Sequence, residues 1–240
     1  MKRVVIVGAT SGLGYETAKL LIENGYYVGL AGRRTNLLEP LKAMAPARVE
    51  IAQIDVTNNR AADHLINLCE EIGGADTILL SSGIGAQNRD LDPEIELKVT
   101  ETNGVGFIRL ITAAFNYLKQ RGGGHIAAIT SVAGSRGIGV SAAYSATKSF
   151  QTQYINALEQ LSCTYKHNIT FTDIRPGFVA TAILKSDKHY PMLMQPEYAG
   201  RQIFKALKKR KRVAIFDWRF KFVVAIMKIC PRFIWKRIRL

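Results

Sequence analysis

The sequence predicts a doubly wound α/β fold, in which a seven-stranded parallel sheet carries helices on both faces. Seven short runs rich in β-branched residues alternate with segments whose apolar residues recur at helical spacing. These runs are apolar throughout, which is typical of parallel strands that are buried on both faces. With 240 residues, of which 48% are hydrophobic and 22% charged, the composition excludes a disordered or fibrous chain.

The order of the elements supports this prediction, because strand and helix alternate along the chain as right-handed βαβ units require. The predicted strands are Val4–Val7, Tyr26–Ala31, Val49–Asp55, Thr77–Leu80, His125–Thr130, Ile169–Ile174 and Val213–Phe216. The predicted helices include Gly14–Asn24, Ala61–Ile72, Glu94–Gln120 and Ala142–Tyr165. We find no internal repeat and no linker, so we expect one domain over residues 1–216, followed by residues 217–240, here called the C-terminal extension.

The formal charge of +14 is concentrated near the C-terminus. Residues 201–240 contain 14 Lys and Arg and one acid, Asp217, and so carry +13, whereas residues 1–200 carry +1. A near-neutral body without a recognisable nucleic-acid module argues against nucleic acid as a partner.

A glycine loop follows the first predicted strand directly. Gly8, Gly12 and Gly14 are spaced Gly-x3-Gly-x-Gly at the point where a helix begins. Glycine permits a tight turn there and lets backbone N–H groups approach a pyrophosphate, which a helix N-terminus favours. The loop therefore predicts a dinucleotide site, with a plain glycine turn as the alternative.

Three polar side chains follow in an order that suggests catalysis. Ser131 ends the fifth predicted strand, Tyr144 comes thirteen residues later, and Lys148 lies one helical turn beyond Tyr144. A Tyr has an ordinary pKa of about 10, and lowering it to about 7 needs roughly 4 kcal/mol, which a nearby ammonium and a positively charged nicotinamide can supply. Taken alone, the Tyr–Lys pair also fits a partly buried ring beside a solvated lysine.

Together with Arg175-Pro176-Gly177, these motifs resemble the short-chain dehydrogenase/reductase family over residues 3–216. The resemblance implies a Rossmann fold and NAD(P)-dependent interconversion of CH–OH and C=O groups. It implies that Tyr144 is the general acid/base and that Ser131 hydrogen-bonds the substrate oxygen. It also implies that Lys148 holds the ribose, while Asn103 positions a water that returns a proton through Lys148.

The resemblance also implies which residues hold the cofactor. Gly32 stands where NAD-dependent members carry Asp, and Arg33 can bind a 2′-phosphate, so we expect NADP(H) in preference to NAD(H). There are two alternatives. Arg33 and Arg34 can be a solvated pair of arginines, and Asp55 can cap a helix instead of contacting the adenine. The chain departs from the family's Asn-Asn-Ala-Gly, with Leu80-Ser81-Ser82-Gly83 in its place. The implied set is Gly8, Thr10, Ser11, Gly12, Leu13, Gly14, Arg33, Arg34, Asp55, Val56, Ser82, Gly83, Tyr144, Lys148, Pro176, Gly177, Val179 and Thr181.

The substrate is expected to be a small-molecule carbonyl or alcohol of apolar or lipid-derived character. Residues 182–197 occupy the position of the family's substrate loop and are rich in large apolar side chains. The four histidines have no ligand spacing, so we expect no metal site; His189 lies in the substrate loop and could contact substrate.

The C-terminal extension has the marks of an interfacial helix. Basic residues are spaced along one helical stripe at Lys221, Lys228, Arg232, Lys236 and Arg239. Bulky apolar residues accompany them at Phe220, Val223, Val224, Met227, Phe233, Ile234 and Trp235, and Pro231 should break the helix. Contact with an anionic membrane is the favoured interpretation. Packing over the protein's own pocket or against another subunit, or binding of an acidic partner, are the alternatives.

The expected location is cytoplasmic, with peripheral contact at the inner face of a membrane. The first apolar run is too short for a signal peptide, no stretch of about 18 apolar residues is found, and three scattered cysteines fit a reducing compartment. By analogy with the family we expect a homo-oligomer. The rival function is a non-catalytic NADP(H)-binding regulator on the same fold, which would not need Ser131, Tyr144 and Lys148 together.

Overall fold

The computed structural model describes residues 2–184 and 190–238, and it contains a seven-stranded parallel sheet in the order β3-β2-β1-β4-β5-β6-β7. All seven predicted strands are confirmed to within two residues. The order reverses between β1 and β4, which leaves a crevice at their carboxyl ends. The strands are β1 (Arg3–Val7), β2 (Tyr27–Gly32), β3 (Val49–Gln53), β4 (Thr77–Leu80), β5 (Gly124–Ile129), β6 (Ile169–Arg175) and β7 (Val213–Ile215).

Helices cover both faces of this sheet, which confirms the doubly wound fold. Val5 and Val7 of β1 point into a core shared with the helices α3, α5 and α6, whereas Val4 and Ile6 point into a second core shared with α1 and α7. The helices are α1 (Gly12–Glu23), α2 (Glu39–Met44), α3 (Ala61–Glu71), α4 (Pro93–Thr100), α5 (Gly106–Gln120), α6 (Ala142–Thr164), α7 (Pro196–Lys208), α8 (Trp218–Ile229) and α9 (Arg232–Trp235).

The predicted single helix Glu94–Gln120 is interrupted, so that part of the prediction is wrong. A π-helical turn, Glu101–Val105, separates α4 from α5 and carries Asn103 at its centre. A π turn releases a backbone carbonyl from the regular helical ladder. Here the carbonyl oxygen of Asn103 accepts a hydrogen bond from the Gln151 side chain on α6 at 2.8 Å.

The C-terminal extension packs one of its faces against the body of the protein. Phe220 is 2% exposed, and a Cβ atom added at Gly177 would lie 2.2 Å from its ring. Val224 and Met227 are buried on the same side of α8. The helix ends at Ile229, before Pro231 removes a backbone donor, and α9 begins after it.

Arg136 attaches the end of α8 to the loop that follows β5. Its guanidinium donates to the carbonyl oxygens of Met227, at 2.7 Å, and of Cys230. The same group lies 4.9 Å from the centre of the Trp235 ring, and the Trp235 indole donates to the Gly137 carbonyl. Packing against the body, which was an alternative interpretation, thus applies to this face.

In the interfacial-helix interpretation Phe220, Val224 and Met227 belong to the membrane-binding surface of the extension. For these three residues that interpretation is wrong, because they are buried against the body. These three residues share a helical face at spacings of four and three residues, and that face rests on the protein. The sequence pattern could not distinguish the two sides of α8, because both sides are apolar.

Two phenylalanines on opposite sides of α8 provide a test of this packing. We expect Phe220→Ala to lower the free energy of unfolding by about 3–5 kcal/mol, because it empties a packed site beside Gly177. Phe222→Ala, at a ring that is 64% exposed, should change it by less than about 0.5 kcal/mol. Urea unfolding followed by circular dichroism measures both. Equal losses would contradict the packing described here.

Candidate active site

The loops that follow β1, β4 and β6 meet at the crevice. Gly8 has a φ of +97°, and a Cβ atom there would lie 2.5 Å from the backbone nitrogen of Ser82. At Gly12, with a φ of +58°, a Cβ atom would lie 3.1 Å from the methyl group of Thr181. Only glycine suits both positions without strain. The structure therefore brings together residues that the sequence analysis assigned to one cofactor from three distant segments.

The glycine loop leaves the start of α1 open to an anion. Ser11 precedes the helix, makes no side-chain capping hydrogen bond, and is followed by no acid in the first turn. The first N–H groups of a helix lack partners within it and favour negative charge. A Cβ atom at Gly14 would lie 2.1 Å from the Gly8 carbonyl oxygen, so the loop closes tightly. Leu13 packs its side chain against the core, which leaves its backbone as the part available to a ligand.

The end of β2 carries no carboxylate at position 32, and the Thr10 side chain is packed closely against this glycine. A Cβ atom on Gly32 would lie 2.5 Å from the Thr10 methyl group. Arg33 and Arg34 follow and are exposed, and neither forms an ion pair with a carboxylate of the described chain. At this edge the chain therefore has arginine side chains where a carboxylate would be needed to bind the ribose of NAD.

Asp55 lies near Arg33 at the end of the neighbouring strand. Burial favours a raised pKa for its carboxyl, but hydrogen bonds from Thr57 and the charge of Arg33 outweigh burial and hold the pKa below its ordinary value. The Asp55 carboxylate accepts from the Thr57 backbone at 3.0 Å and from its hydroxyl at 2.8 Å. The carbonyl oxygen of Val56 accepts from Arg109 at 2.7 Å.

The Ser131 hydroxyl lies beside Tyr144 and affects the pKa of its phenol. The Ser131 oxygen accepts from the Ala133 backbone at 3.1 Å, which leaves its own hydrogen for Tyr144. Burial raises the pKa of Tyr144, and the hydrogen bond with Ser131 opposes that rise. Tyr144 therefore carries its proton at neutral pH. The expectation that Lys148 and a bound nicotinamide together lower this pKa stays a prediction.

Lys148 is buried, with its Nζ atom 5.9 Å from the centre of the Tyr144 ring. The ammonium donates to the carbonyl oxygen of Ile129 at 2.8 Å and to the side-chain oxygen of Gln151 at 3.0 Å. Burial lowers the pKa of Lys148 to about 8, and the charge of Asp173 opposes this effect. A Cβ atom at Gly83 would lie 3.4 Å from this ammonium, so the loop after β4 borders it.

Gln151 joins Lys148 to the π turn. Its amide nitrogen donates to the Asn103 carbonyl, while its oxygen accepts from Lys148. The Asn103 side chain exchanges two hydrogen bonds with the backbone of Ile84, at 2.8 and 2.9 Å. The resemblance implies a water linking Asn103 to Lys148; in this structure the Gln151 amide makes that link.

Asp173 supplies the negative charge nearest to Lys148 that affects its pKa. It is fully buried on β6, accepts from Thr130, and forms an ion pair with Arg175 at 2.6 Å. Arg175 immediately precedes Pro176, whose carbonyl oxygen accepts from Val132 beside Ser131. The sequence analysis missed Gln151 and Asp173. The sequence contained a signal for each of them: Gln151 is a polar residue three positions after Lys148, and Asp173 is an acid inside a buried strand.

The substrate side of Tyr144 is bordered by apolar groups. A Cβ atom at Gly85 would lie 3.5 Å from the Tyr144 ring and 2.7 Å from an Ile183 methyl group. Val179 pairs with Met194, which joins the segment before the substrate loop to the C-terminal part of that loop. Residues 185–189, including His189, lie outside the described residues.

A cavity of about 400 Å³ lies between Arg89, the segment 137–140 and the residues Trp235, Lys236 and Ile238 of the extension.

The amino-acid sequence is similar to those of known proteins. A family model described as short chain dehydrogenase matches residues 2–190. An uncharacterized oxidoreductase of Mycobacterium tuberculosis is 31% identical over 243 residues, which cover 96% of this chain and 94% of that protein. An uncharacterized oxidoreductase of Myxococcus xanthus is 29% identical over 238 residues, with coverage of 96% and 93%.

Solved structures are similar as well. An alcohol dehydrogenase from the archaeon Thermococcus sibiricus, complexed with 5-hydroxy-NADP, has a TM-score of 0.77 and 25% identity, over 90% of this chain and 95% of that one. A serine dehydrogenase from Escherichia coli has a TM-score of 0.74 and 26% identity, with coverage of 89% and 95%.

The hydrogen bond from Lys148 to Gln151 can be tested directly. In Gln151→Met the ammonium loses an acceptor, so we expect the pKa of Lys148 to fall below the value of about 8. Nuclear magnetic resonance of ¹³C-labelled lysine side chains measures this pKa. Gln153→Met, an exposed glutamine on the same helix, is the matched control and should leave it unchanged. A wild-type Lys148 that titrates at its ordinary value would contradict the buried geometry.

Proposed function

The chain belongs to the short-chain dehydrogenase family, and we propose that it is an NADPH-dependent oxidoreductase that reduces a carbonyl group to an alcohol or catalyses the reverse reaction. One observation carries the proposal: Ser131, Tyr144 and Lys148 form one cluster next to the glycine loop. When bound, NADPH supplies a hydride. The chain's own residues must then bind the cofactor, orient the substrate and provide a proton.

In this proposal Tyr144 donates its proton to the substrate oxygen. A phenol whose pKa is raised by burial stays protonated at neutral pH, as a proton donor must. The Ser131 hydroxyl hydrogen-bonds the same oxygen and stabilises the negative charge that develops there. Lys148 holds the ribose, as the family resemblance implies. Support from Asn103 reaches Lys148 through Gln151.

The proposed preference for NADP(H) rests on the edge formed by β2. Gly32 supplies no carboxylate, and Arg33 and Arg34 are exposed cations without an ion-pair partner in the described chain. A guanidinium can bind a 2′-phosphate through two parallel hydrogen bonds. The similar alcohol dehydrogenase from Thermococcus sibiricus was solved with an NADP analogue, which supports the same choice.

The proposed substrate is apolar. Ile183 lies close to Gly85 and hence to the Tyr144 ring, and the substrate loop adds the exposed side chain of Leu193. Phe178 and Tyr190 pack their rings 5.1 Å apart at the base of this loop. Such a lining favours a ligand with an apolar body and one polar group at the reacting carbon. Greater turnover of small polar ketones than of long-chain ketones would contradict this choice.

We further propose a homo-oligomer and a peripheral location at the inner face of a membrane. Ile108 on α5 and Phe150 and Leu161 on α6 are large apolar side chains that remain partly exposed, which supports pairing through these two helices. No helix among the described residues is long and apolar enough to cross a bilayer. We assign the membrane contact to the C-terminal extension because it carries exposed apolar and basic side chains.

Replacing the proton donor tests the proposed chemistry. We expect Tyr144→Phe to lower kcat by roughly 10²- to 10⁴-fold, because in this proposal Tyr144 alone transfers a proton to the substrate oxygen, while Ser131 donates only a hydrogen bond. NADPH oxidation with a panel of long-chain and small polar ketones measures the rate, and fluorescence titration measures cofactor binding. Tyr154→Phe, on the same helix, is the control. If the wild type binds NADPH but turns over no substrate, the non-catalytic regulator becomes the better interpretation.

The cofactor preference is tested at Arg33. In Arg33→Ala the KM for NADPH should rise roughly tenfold or more, because a charge-assisted hydrogen bond is lost, while the kinetics with NADH stay the same. Arg60→Ala removes an exposed arginine at the start of α3 and serves as the control. An equal loss with both cofactors would mean that Arg33 does not contact the 2′-phosphate.

A further inference from the structure

The side of α8 that points away from the body carries large apolar side chains. Trp218 is 75% exposed and Ile229 is 79% exposed, and Phe222 and Ile226 lie between them on the same side. Their spacings of four, four and three residues place them on one helical face, opposite Phe220 and its neighbours. We call these four residues, together with the exposed Phe233 of α9, the outer face.

Cations flank the outer face without being neutralised. Within the described residues, no carboxylate forms an ion pair with any of Lys221, Lys228, Arg232, Lys236 and Arg237. Asp217, the single acid of residues 201–240, is already bound to Arg219 through both of its oxygens. The surface is therefore apolar along its centre and positively charged at its margins.

We propose that the outer face binds an anionic lipid surface, with the apolar side chains at the acyl boundary and the cations at the headgroups. A solvated helix gains nothing from exposing Trp, Phe and Ile side by side, and such patches mark interaction sites. A lipid surface of negative charge satisfies both the apolar stripe and the flanking cations. A second copy of the chain would match the apolar stripe but would oppose cation to cation.

The attachment of α8 to the body gives this surface a fixed position. Phe220 is inserted beside Gly177, and Arg136 holds the far end of the helix. Gly177 lies just after Arg175, and Arg136 lies in the loop that begins at Ser131. Because α8 is attached at both places, a membrane bound to α8 would lie next to the active site. Trp235 and Ile238 also line the cavity that borders segment 137–140. The inference rests on the proposed peripheral location and gives an apolar substrate a source close to the site.

Vesicle binding by the full-length protein tests the inference, and it needs no turnover, so its failure is distinct from a failure of the proposed chemistry. Wild type would be sedimented with vesicles of phosphatidylcholine alone and with vesicles containing phosphatidylglycerol. The double variant Phe222→Ser, Ile229→Ser removes two exposed apolar groups, and Leu97→Ser removes a similarly exposed one from α4 as the control. Point variants are preferred to a truncation at Asp217, which would also remove the buried Phe220.

We expect binding to phosphatidylglycerol vesicles and at least about a tenfold loss of affinity in the double variant, with no change in Leu97→Ser. Trp218 fluorescence should shift to shorter wavelength on binding, and Lys221→Gln with Lys228→Gln should weaken binding further at low salt. Equal binding of the wild type and the double variant would overturn the proposal. A wild type that does not bind vesicles would also overturn the proposal. If, in that case, the double variant changes the oligomeric state measured by light scattering, the outer face binds a second copy of the chain.

Discussion

The buried ammonium of Lys148 is the constraint around which the site is organised. A cation removed from water must be compensated by hydrogen-bond acceptors or negative charge. The chain provides the Ile129 carbonyl at the end of β5, the Gln151 amide one turn along α6, and the field of Asp173 on β6. Burial nevertheless prevails, and the pKa of Lys148 falls to about 8. A lysine so placed is sensitive to small changes in the charge beside it.

This compensation links elements that are far apart in the chain. Gln151 reaches the carbonyl of Asn103, which is accessible because a π turn interrupts the helix between α4 and α5. Asp173 in turn engages Arg175, the residue before the Pro-Gly segment that receives Phe220. The same network that holds Lys148 thus adjoins the anchor of the C-terminal extension. A change in the position of the extension would therefore affect the loops after β5 and β6 first, because the extension contacts these segments.

The extension combines two roles in twelve residues of α8. Its inner side completes the apolar core next to the loop that carries Ser131, whereas its outer side is left apolar and flanked by cations. A helix that is apolar all round normally has partners on every side. Here the partner on one side is the protein itself, and the proposed partner on the other is a lipid surface. The extension carries seven of the 14 Lys and Arg of residues 201–240, so positive charge accompanies this apolar surface.

The sequence by itself determined the sheet, the glycine loop and the order of Ser131, Tyr144 and Lys148, because each depends on local patterns: apolar runs, glycine spacing and the helical repeat. It also located the excess charge, since charge can be counted along a chain. That Gln151 stands between Asn103 and Lys148, and that Asp173 balances a buried cation, is visible only in the folded protein, because Asn103 and Gln151 are 48 positions apart and Lys148 and Asp173 are 25 apart in the chain. The tertiary structure likewise separated the two apolar sides of α8. Periodicity states which residues share a face, but only packing against Gly177 and Arg136 determines which face is buried.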